Sequence, residues 1–294
     1  MLDLQERTAQ RLLTASARST PDLATQIDWE APLLAEAPYM SWETVSLYGT
    51  QLWDRMSPQQ RCDLSRHEVA SLASTGIWLE RLLMQMLLRH IAPRDPRSAH
   101  VQYALTEIAD ECRHTVMFGR MLSRLECPAY QPSRRARTLA SVFASTSSGP
   151  EIFAAALIGE EILDHLQRTS MADEEVQPFV RQIDRVHVTE EARHIGYAGS
   201  ELSRQWEAIG RVRQGLYRQT IAQSVAVTVG SYLHPDVYAA VGLDPQEAVQ
   251  AVQASAHRRE VMRRAAERLT GRFVELGIIG GTSSRTWRRL GLLA

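Results

Sequence analysis

Two copies of one short motif constrain the fold of this chain more than any other feature of its sequence. The segments D-E-C-R-H at 110 to 114 and E-E-A-R-H at 190 to 194 share the pattern acidic-Glu-x-Arg-His. A glutamate and a histidine three positions apart share one side of an α-helix, because each residue advances about 100° around the axis. One such pair occurs by chance on many solvated helices, so the second copy carries the argument.

Each copy of the motif is preceded by a further glutamate at a matching distance. The separation along the chain from Glu80 to Glu111 equals the separation from Glu160 to Glu191. A single shift in numbering therefore relates two carboxylates and two E-x-x-H motifs, which predicts a helical bundle built from two similar halves. Carboxylates and imidazoles are ligands that iron and manganese favour, and a bridging glutamate can hold two ions. We therefore expect a two-metal site formed by Glu80, Glu111, His114, Glu160, Glu191 and His194.

The two halves of this repeat differ one helical turn before each motif glutamate. His187 stands one turn before Glu191, whereas Glu107 holds the matching position before Glu111. His187 is predicted to be a third nitrogen ligand, and a buried histidine that bonds a backbone carbonyl is the alternative. For Glu107 three interpretations stay open: a ligand, a neighbour of the ligands, or an exposed acid.

The first acidic residue of each motif has a separate predicted role. A metal-bound imidazole normally donates its other N–H group to a nearby carboxylate. Asp110 and Glu190 are placed for this, each serving the histidine of the opposite motif, although both could be ordinary surface acids. Arg113 and Arg193 are candidates to pair with them.

At these residues the chain resembles the diiron N-oxygenases of the p-aminobenzoate N-oxygenase (AurF-type) family. The family pattern is Glu, E-x-x-H, Glu, then H-x-x-x-E-x-x-H. The segments at 27 to 30 and 47 to 61 also resemble its N-terminal region, and the resemblance covers roughly residues 25 to 235. Ferritins, rubrerythrins and ribonucleotide reductase small subunits share only the pattern of six ligands. The matching positions are Glu80, Glu111, His114, Glu160, His187, Glu191 and His194.

The resemblance implies an all-α, ferritin-like four-helix bundle that holds two iron ions. It further implies dioxygen as co-substrate, an external electron donor, and a small organic amine oxidised toward a hydroxylamine, nitroso or nitro product in specialised metabolism. Two alternatives keep the site: oxidation of a C–H bond by hydroxylation or desaturation, and a non-catalytic iron store or ferroxidase. Storage is disfavoured because ferritin subunits are usually much shorter and because His187 adds a ligand where iron transit requires weak binding.

Composition agrees with one large helical domain. The chain has 294 residues, of which 44% are hydrophobic, enough for a single core. No stretch reaches the roughly 18 apolar residues of a membrane helix, and the N-terminus lacks a signal core, so we expect a cytoplasmic protein. A net charge of -1 gives no electrostatic case for nucleic acid or an anionic membrane. Three cysteines without metal spacing predict reduced thiols, with Cys112 filling the core.

Proline- and glycine-containing segments predict where the helices end. We expect bundle helices at 58–92, 97–126, 150–170 and 174–209, with a crossover after the second that contains a helical stretch of its own. The predicted domain, 1–294, adds an N-terminal arm over 1–45 and C-terminal helices at 211–233 and 245–277 that cap the bundle or form a homodimer contact. Apolar residues one turn from the ligands could line a cavity, although core packing is the favoured explanation for any one of them: Ile77, Met84, Phe118, Leu157 and Tyr197.

Overall fold

The computed structural model describes residues 4–293, and within that range the chain is helical with no β-strand. The all-α prediction is confirmed. Two single 3₁₀ turns lie at Trp42–Thr44 and Gly281–Ser283. The helices are α1 (Leu4–Arg18), α2 (Leu23–Gln26), α3 (Gln51–Arg55), α4 (Pro58–Ile91), α5 (Ala99–Arg124), α6 (Arg134–Thr146), α7 (Pro150–Ala172), α8 (Pro178–Ala208), α9 (Arg211–Val229), α10 (Asp236–Ala239), α11 (Pro245–Ala254), α12 (Ala256–Ala265), α13 (Glu267–Glu275) and α14 (Ser284–Arg289).

Four long helices, α4, α5, α7 and α8, form the bundle that carries the repeated motifs. The most extensive contacts join α4 to α5 and α7 to α8, so each half of the repeat is an antiparallel helical hairpin. Helix α4 begins with a capping box, in which the Ser57 hydroxyl accepts from the Gln60 amide and the Gln60 side chain accepts from the Ser57 amide. Proline follows the cap at the start of α4, where its missing N–H costs no helical hydrogen bond.

The connection between the two hairpins is long, as expected for the crossover of a ferritin-like bundle, and it contains α6. Only Ala144 of this helix is fully buried, and α6 contacts α4 and α9. An Arg89 guanidinium of α4 donates to the Ala144 carbonyl. Leu139 and Val142 remain largely exposed, so α6 lies on the bundle surface as a side wall.

The N-terminal segment packs on the bundle through α1, which contacts α5 and α8. The Glu6 carboxylate accepts hydrogen bonds from the Ala99 and His100 amides at 2.8 and 3.2 Å. These amides open α5 and have no partner within that helix, so α1 caps the helix that carries the first motif. The division into one domain with an arm stays a prediction.

Three predicted helices differ from the structure by more than two residues. The fourth bundle helix begins at Pro178 and not at 174, because residues 173–177 form a turn in which the Gln177 amide donates to the Pro38 carbonyl. The predicted helix at 211–233 ends at Val229, just before Gly230. The predicted helix at 245–277 is three helices, and the Ser255 hydroxyl caps the second of them by accepting from the Arg258 amide. Beyond Gly277, α14 buries Trp287 completely.

Within the described range 4–293, no helix combines the length and the apolar character that a bilayer crossing needs.

Candidate metal centre

The repeated motifs converge in the centre of the bundle, where α4, α5, α7 and α8 each contribute ligand atoms. The candidate ligands form groups of three whose ligand atoms all lie within 4.8 Å of one another. These groups are Glu80, His114 and His187; Glu111, His114 and Glu191; Glu160, His187 and Glu191; and Glu107, Glu111 and His194. The structure therefore brings all seven sequence-predicted metal residues together, and their role as ligands stays a prediction.

The inner carboxylates are buried without arginine partners. Glu80, Glu111, Glu160 and Glu191 are at most 6% exposed. Among residues 4–293, the ion pairs of Glu80, Glu111 and Glu191 involve only histidines. Burial, and then the charge of Glu191, raises the pKa of Glu160 well above its usual value. Burying several carboxylates is costly unless cations or protons neutralise them. The centre therefore has the charge of a cation site.

The motif histidines turn one nitrogen toward these carboxylates and the other toward an outer acid. The Nε2 atom of His114 lies 3.0 Å from the Glu190 carboxylate, and the Nε2 atom of His194 lies 3.3 Å from the Asp110 carboxylate. Their Nδ1 atoms lie 3.1–3.3 Å from the carboxylate oxygens of Glu111 and Glu191. An Nε2–H that donates outward leaves the Nδ1 lone pair facing inward, where it needs a cation or a proton.

Two arginines neutralise the outer acids. Arg113 contacts Asp110 at 2.8 Å and Glu190 at 2.5 Å, and Arg193 contacts Glu190 at 3.4 Å and Asp110 at 3.6 Å. Each arginine therefore joins the motifs of both hairpins. These contacts position the side chains of Asp110 and Glu190 to accept hydrogen bonds from the histidines of the opposite motif. That these two acids tune a bound metal stays a prediction.

His187 is oriented by a residue that the sequence did not indicate. Its Nδ1 atom lies 2.8 Å from the Gln167 side-chain oxygen, which accepts only, so the proton is on Nδ1. The Nε2 atom is buried, has no hydrogen-bond partner, and lies 3.6 Å from carboxylate oxygens of Glu80 and Glu191. A buried imidazole nitrogen with a free lone pair is a good metal ligand. The alternative, a histidine that bonds a backbone carbonyl, does not describe this side chain.

The two carboxylates from the helices before the motifs have different surroundings. Glu80 accepts a hydrogen bond from the Thr115 hydroxyl at 2.8 Å through one oxygen, while its other oxygen is buried without a partner. Glu160 borders the cavities beside the centre. Its neighbour Glu161 points elsewhere and lies 3.0 Å from Arg272 of α13. Only the first glutamate of this pair can reach the centre.

Glu107 lies at the centre and is not an exposed acid. It is 1% exposed, one of its oxygens is buried without a partner, and it belongs to the group with Glu111 and His194. Burial raises its pKa to about 8. Glu107 is therefore either an additional ligand or a protonated neighbour of the ligands.

The residues present fit a pair of divalent metal ions. Buried ligand atoms without hydrogen-bond partners include a carboxylate oxygen on each of Glu80, Glu111 and Glu191, together with the His187 Nε2 atom. Buried polar atoms in folded proteins nearly always have partners, so a convergent set of unpaired ones indicates a bound group. Oxygen and imidazole ligands without thiolates suit iron or manganese.

Two cavities flank the centre and meet at Glu160. The larger one, about 260 Å³, lies between α4, α6, α7 and α9, and is called the chamber below. The smaller one, about 40 Å³, has room only for molecules the size of water or dioxygen. Its wall includes Glu80, Phe118 and His187.

The family model described as "P-aminobenzoate N-oxygenase AurF" matches residues 3–277 of the chain. The chain belongs to this family. The resemblance noted from the motif spacing is thereby confirmed, and it extends over more of the chain than residues 25 to 235. The buried histidine and glutamate groups and the helical architecture are consistent with this membership.

Curated relatives of this chain include uncharacterized proteins of Mycobacterium bovis and of Mycobacterium tuberculosis strain H37Rv. Each is 28% identical over 211 residues, which is 69% of this chain and 62% of the relative. The chain thus matches less than two thirds of the length of these relatives.

The motif pattern gives no signal for Gln167, for Thr115 or for the chamber. Gln167 and Thr115, which orient His187 and Glu80, lie outside the motifs, although Thr115 directly follows His114. The chamber is formed largely by residues that the motif spacing does not indicate, while Phe118 lines the smaller cavity. Cys112, predicted to fill the core, is exposed, because it follows Glu111 and turns away from the bundle axis.

Proposed function

We propose that this chain is a diiron oxygenase that oxidises the nitrogen of a small organic amine. The residues that would hold the two iron ions are Glu80, Glu111, His114, Glu160, His187, Glu191 and His194. The main support is the convergence of four carboxylates and three imidazoles, buried in one bundle and bordered by a cavity large enough for an organic molecule. Membership of a family described as an N-oxygenase supports the reaction class.

Iron ions bound here would supply the reductive activation of dioxygen, which protein side chains cannot perform. The overall reaction balances when one oxygen atom enters the amine and the other leaves as water. Two electrons and two protons per cycle are then needed from an external reductant or electron-donor protein, which is therefore a required partner.

The side chains have roles that the geometry supports directly. Asp110 and Glu190 accept from the Nε2 atoms of His194 and His114, which keeps both Nδ1 lone pairs directed inward. The Gln167 side-chain oxygen accepts from the Nδ1 atom of His187, which keeps the Nε2 lone pair of His187 directed inward. The bundle walls exclude bulk water from the centre, since every proposed ligand is at most 6% exposed.

The test is product analysis with isotopically labelled dioxygen. Reduced, iron-loaded protein is incubated with ¹⁸O₂ and a panel of arylamines and amino acids, and the products are analysed by mass spectrometry. We expect ¹⁸O bonded to nitrogen in at least one product. The Glu191→Ala variant should form none, whereas Glu247→Ala, a surface change at an exposed ion pair with Arg55, should behave like wild type.

The same experiment separates the alternatives. Label on carbon, or loss of hydrogen from a substrate, would replace N-oxygenation by C–H oxidation at the same site. Oxidation of iron(II) by dioxygen without an organic product would indicate a ferroxidase. A ferritin-like multisubunit shell would indicate storage. The chamber beside Glu160 favours an enzyme with an organic substrate. A homodimer in sedimentation measurements is the expected assembly.

A further inference from the structure

The chamber beside the metal centre has a composition that limits what can bind in it. Its inner end is formed by Glu160, and its walls come from α4, α6, α7 and α9. Leu79, Leu82 and Met86 of α4 face Leu139 and Phe143 of α6 across it. With a volume of about 260 Å³ it falls just below the roughly 300–1,000 Å³ of pockets that hold drug-sized ligands. It therefore suits a single ring with small substituents.

Charge is nearly absent from these walls. Among the described residues that line the chamber, Glu160 is the only ionisable one, and none is basic. Arg135 borders an adjoining outer groove and not the chamber itself. A carboxylate inside the chamber would lose hydration without gaining a cationic partner, so its binding is disfavoured.

The wall formed by α9 offers neutral hydrogen-bonding groups. Thr220, Ser224 and Thr228 follow one another at intervals of four positions on α9, so their hydroxyls lie along one side of that helix. The Ser224 hydroxyl donates to the Ile221 carbonyl, which leaves its lone pairs as acceptors for a ligand. Small residues on α7, namely Ala155, Ala156 and Gly159, leave the space open next to Glu160.

We propose that the chamber is the substrate site and that it selects an uncharged, largely apolar arylamine that carries no carboxylate. This rests on the proposed function, since the amine must reach the metal centre at Glu160. An arylamine is uncharged at neutral pH because its ring withdraws the nitrogen lone pair, whereas an alkylamine is a cation. The amine end lies at Glu160, the ring lies between α4 and α6, and a neutral substituent meets the hydroxyls of α9.

The test compares binding of two probes of the same shape. The dissociation constants of 4-methylaniline and p-aminobenzoate are measured by calorimetry on iron-loaded, oxidised, full-length protein under argon, so that no turnover occurs. We expect 4-methylaniline to bind at least about tenfold more tightly, because only p-aminobenzoate must bury a carboxylate. Equal or tighter binding of p-aminobenzoate, or no binding of 4-methylaniline, would overturn the proposal.

A matched pair of variants locates the binding site. Ala155→Phe fills the chamber from α7 and should weaken 4-methylaniline binding at least about tenfold while iron content stays at the wild-type level. Ala172→Phe makes the same change at the exposed end of α7 and should bind like wild type. Unchanged binding in both variants would place the probe elsewhere and contradict the assignment of the chamber.

The outcome is separable from the proposed function. Binding of 4-methylaniline without any N-oxygenated product would refute the N-oxygenase and leave the binding preference of the chamber standing. Formation of an N-oxygenated product from p-aminobenzoate, together with tight binding of that acid, would support the N-oxygenase and refute the neutral-substrate site.

Discussion

At the scale of single residues, Glu160 and Glu161 show how adjacent identical side chains acquire different roles. A step of about 100° around α7 turns the first toward the metal centre and the second toward Arg272. We expect the purified wild type to bind close to two iron ions per chain. Glu160→Gln should lower this clearly, and Glu161→Gln should not, as measured by metal analysis of the folded proteins. The reverse result would show that the ligand assignment is wrong by one position.

His187 gives a second prediction at this scale. Its removal leaves four glutamates and two histidines, a set that ferritin-like centres use, so His187→Ala should retain iron. Loss of a neutral imidazole should change the electronic properties of one ion, seen as an altered visible spectrum of the oxidised protein and loss of product. Gln167→Leu, which removes only the hydrogen bond to Nδ1, should produce a weaker change of the same kind. Unchanged spectrum and turnover in both variants would mean that His187 is a core histidine.

At the scale of helices, α8 contains a glycine that makes room for a side chain of α13. A Cβ atom at Gly199 would overlap the Arg272 guanidinium, which lies 3.0 Å from the buried Glu161 carboxylate. Gly199→Ala should therefore displace the end of the Arg272 side chain, and loss of its contact with Glu161, worth about 1–3 kcal/mol, should outweigh a helix-propensity gain of up to about 1 kcal/mol and lower the free energy of unfolding.

Gly196 provides the matched control on the same helix. Nothing lies within 4 Å of a Cβ placed there, so Gly196→Ala should stabilise the protein by up to about 1 kcal/mol through helix propensity. Chemical denaturation of both variants measures the difference. Equal stability of the two would show that Arg272 moves aside without loss.

The success of sequence reasoning also differs from helix to helix. The start of α4 was predictable because Ser57 and Pro58 form a strong local start signal, and the convergence of the candidate ligands was predictable because their spacing repeats. The chamber was not predictable from the sequence, because it is lined by residues of helices far apart in the chain, among them Leu82, Leu139 and Thr228. Helical periodicity indicates which side of a helix is buried, but it carries no information on whether the facing helices leave a space between them.

At the scale of the whole molecule, buried Glu68 connects three parts of the chain. Its carboxylate accepts from the amide and hydroxyl of Ser46, the same hydroxyl lies 2.9 Å from the Tyr238 hydroxyl, and Arg258 donates to the nearby Thr44 carbonyl. The N-terminal segment, the bundle and the C-terminal helices therefore meet at one ionisable group.

This group predicts a pH dependence of stability. Burial raises the pKa of Glu68 from 4.5 to about 7. Between pH 4.5 and 7, Glu68 is ionised in the unfolded chain and protonated in the folded protein. The free energy of unfolding therefore falls as the pH rises through this range, and it does not recover at higher pH. Glu68→Gln lacks this titration, so its stability relative to wild type should increase by up to about 3 kcal/mol across the range. A difference in the free energy of unfolding between the two proteins that stays the same at every pH would contradict this.

The crossover helix α6 has a consequence for how this protein can change over evolutionary time. It forms one wall of the chamber yet carries none of the proposed metal ligands, which belong to the four bundle helices. Substitutions at Leu139, Val142 or Phe143 can thus reshape the volume next to the metal centre while the buried carboxylates and imidazoles stay untouched. Under the proposed assignment of the chamber, such substitutions would change which molecules fit there and would leave the candidate iron ligands of the four bundle helices in place.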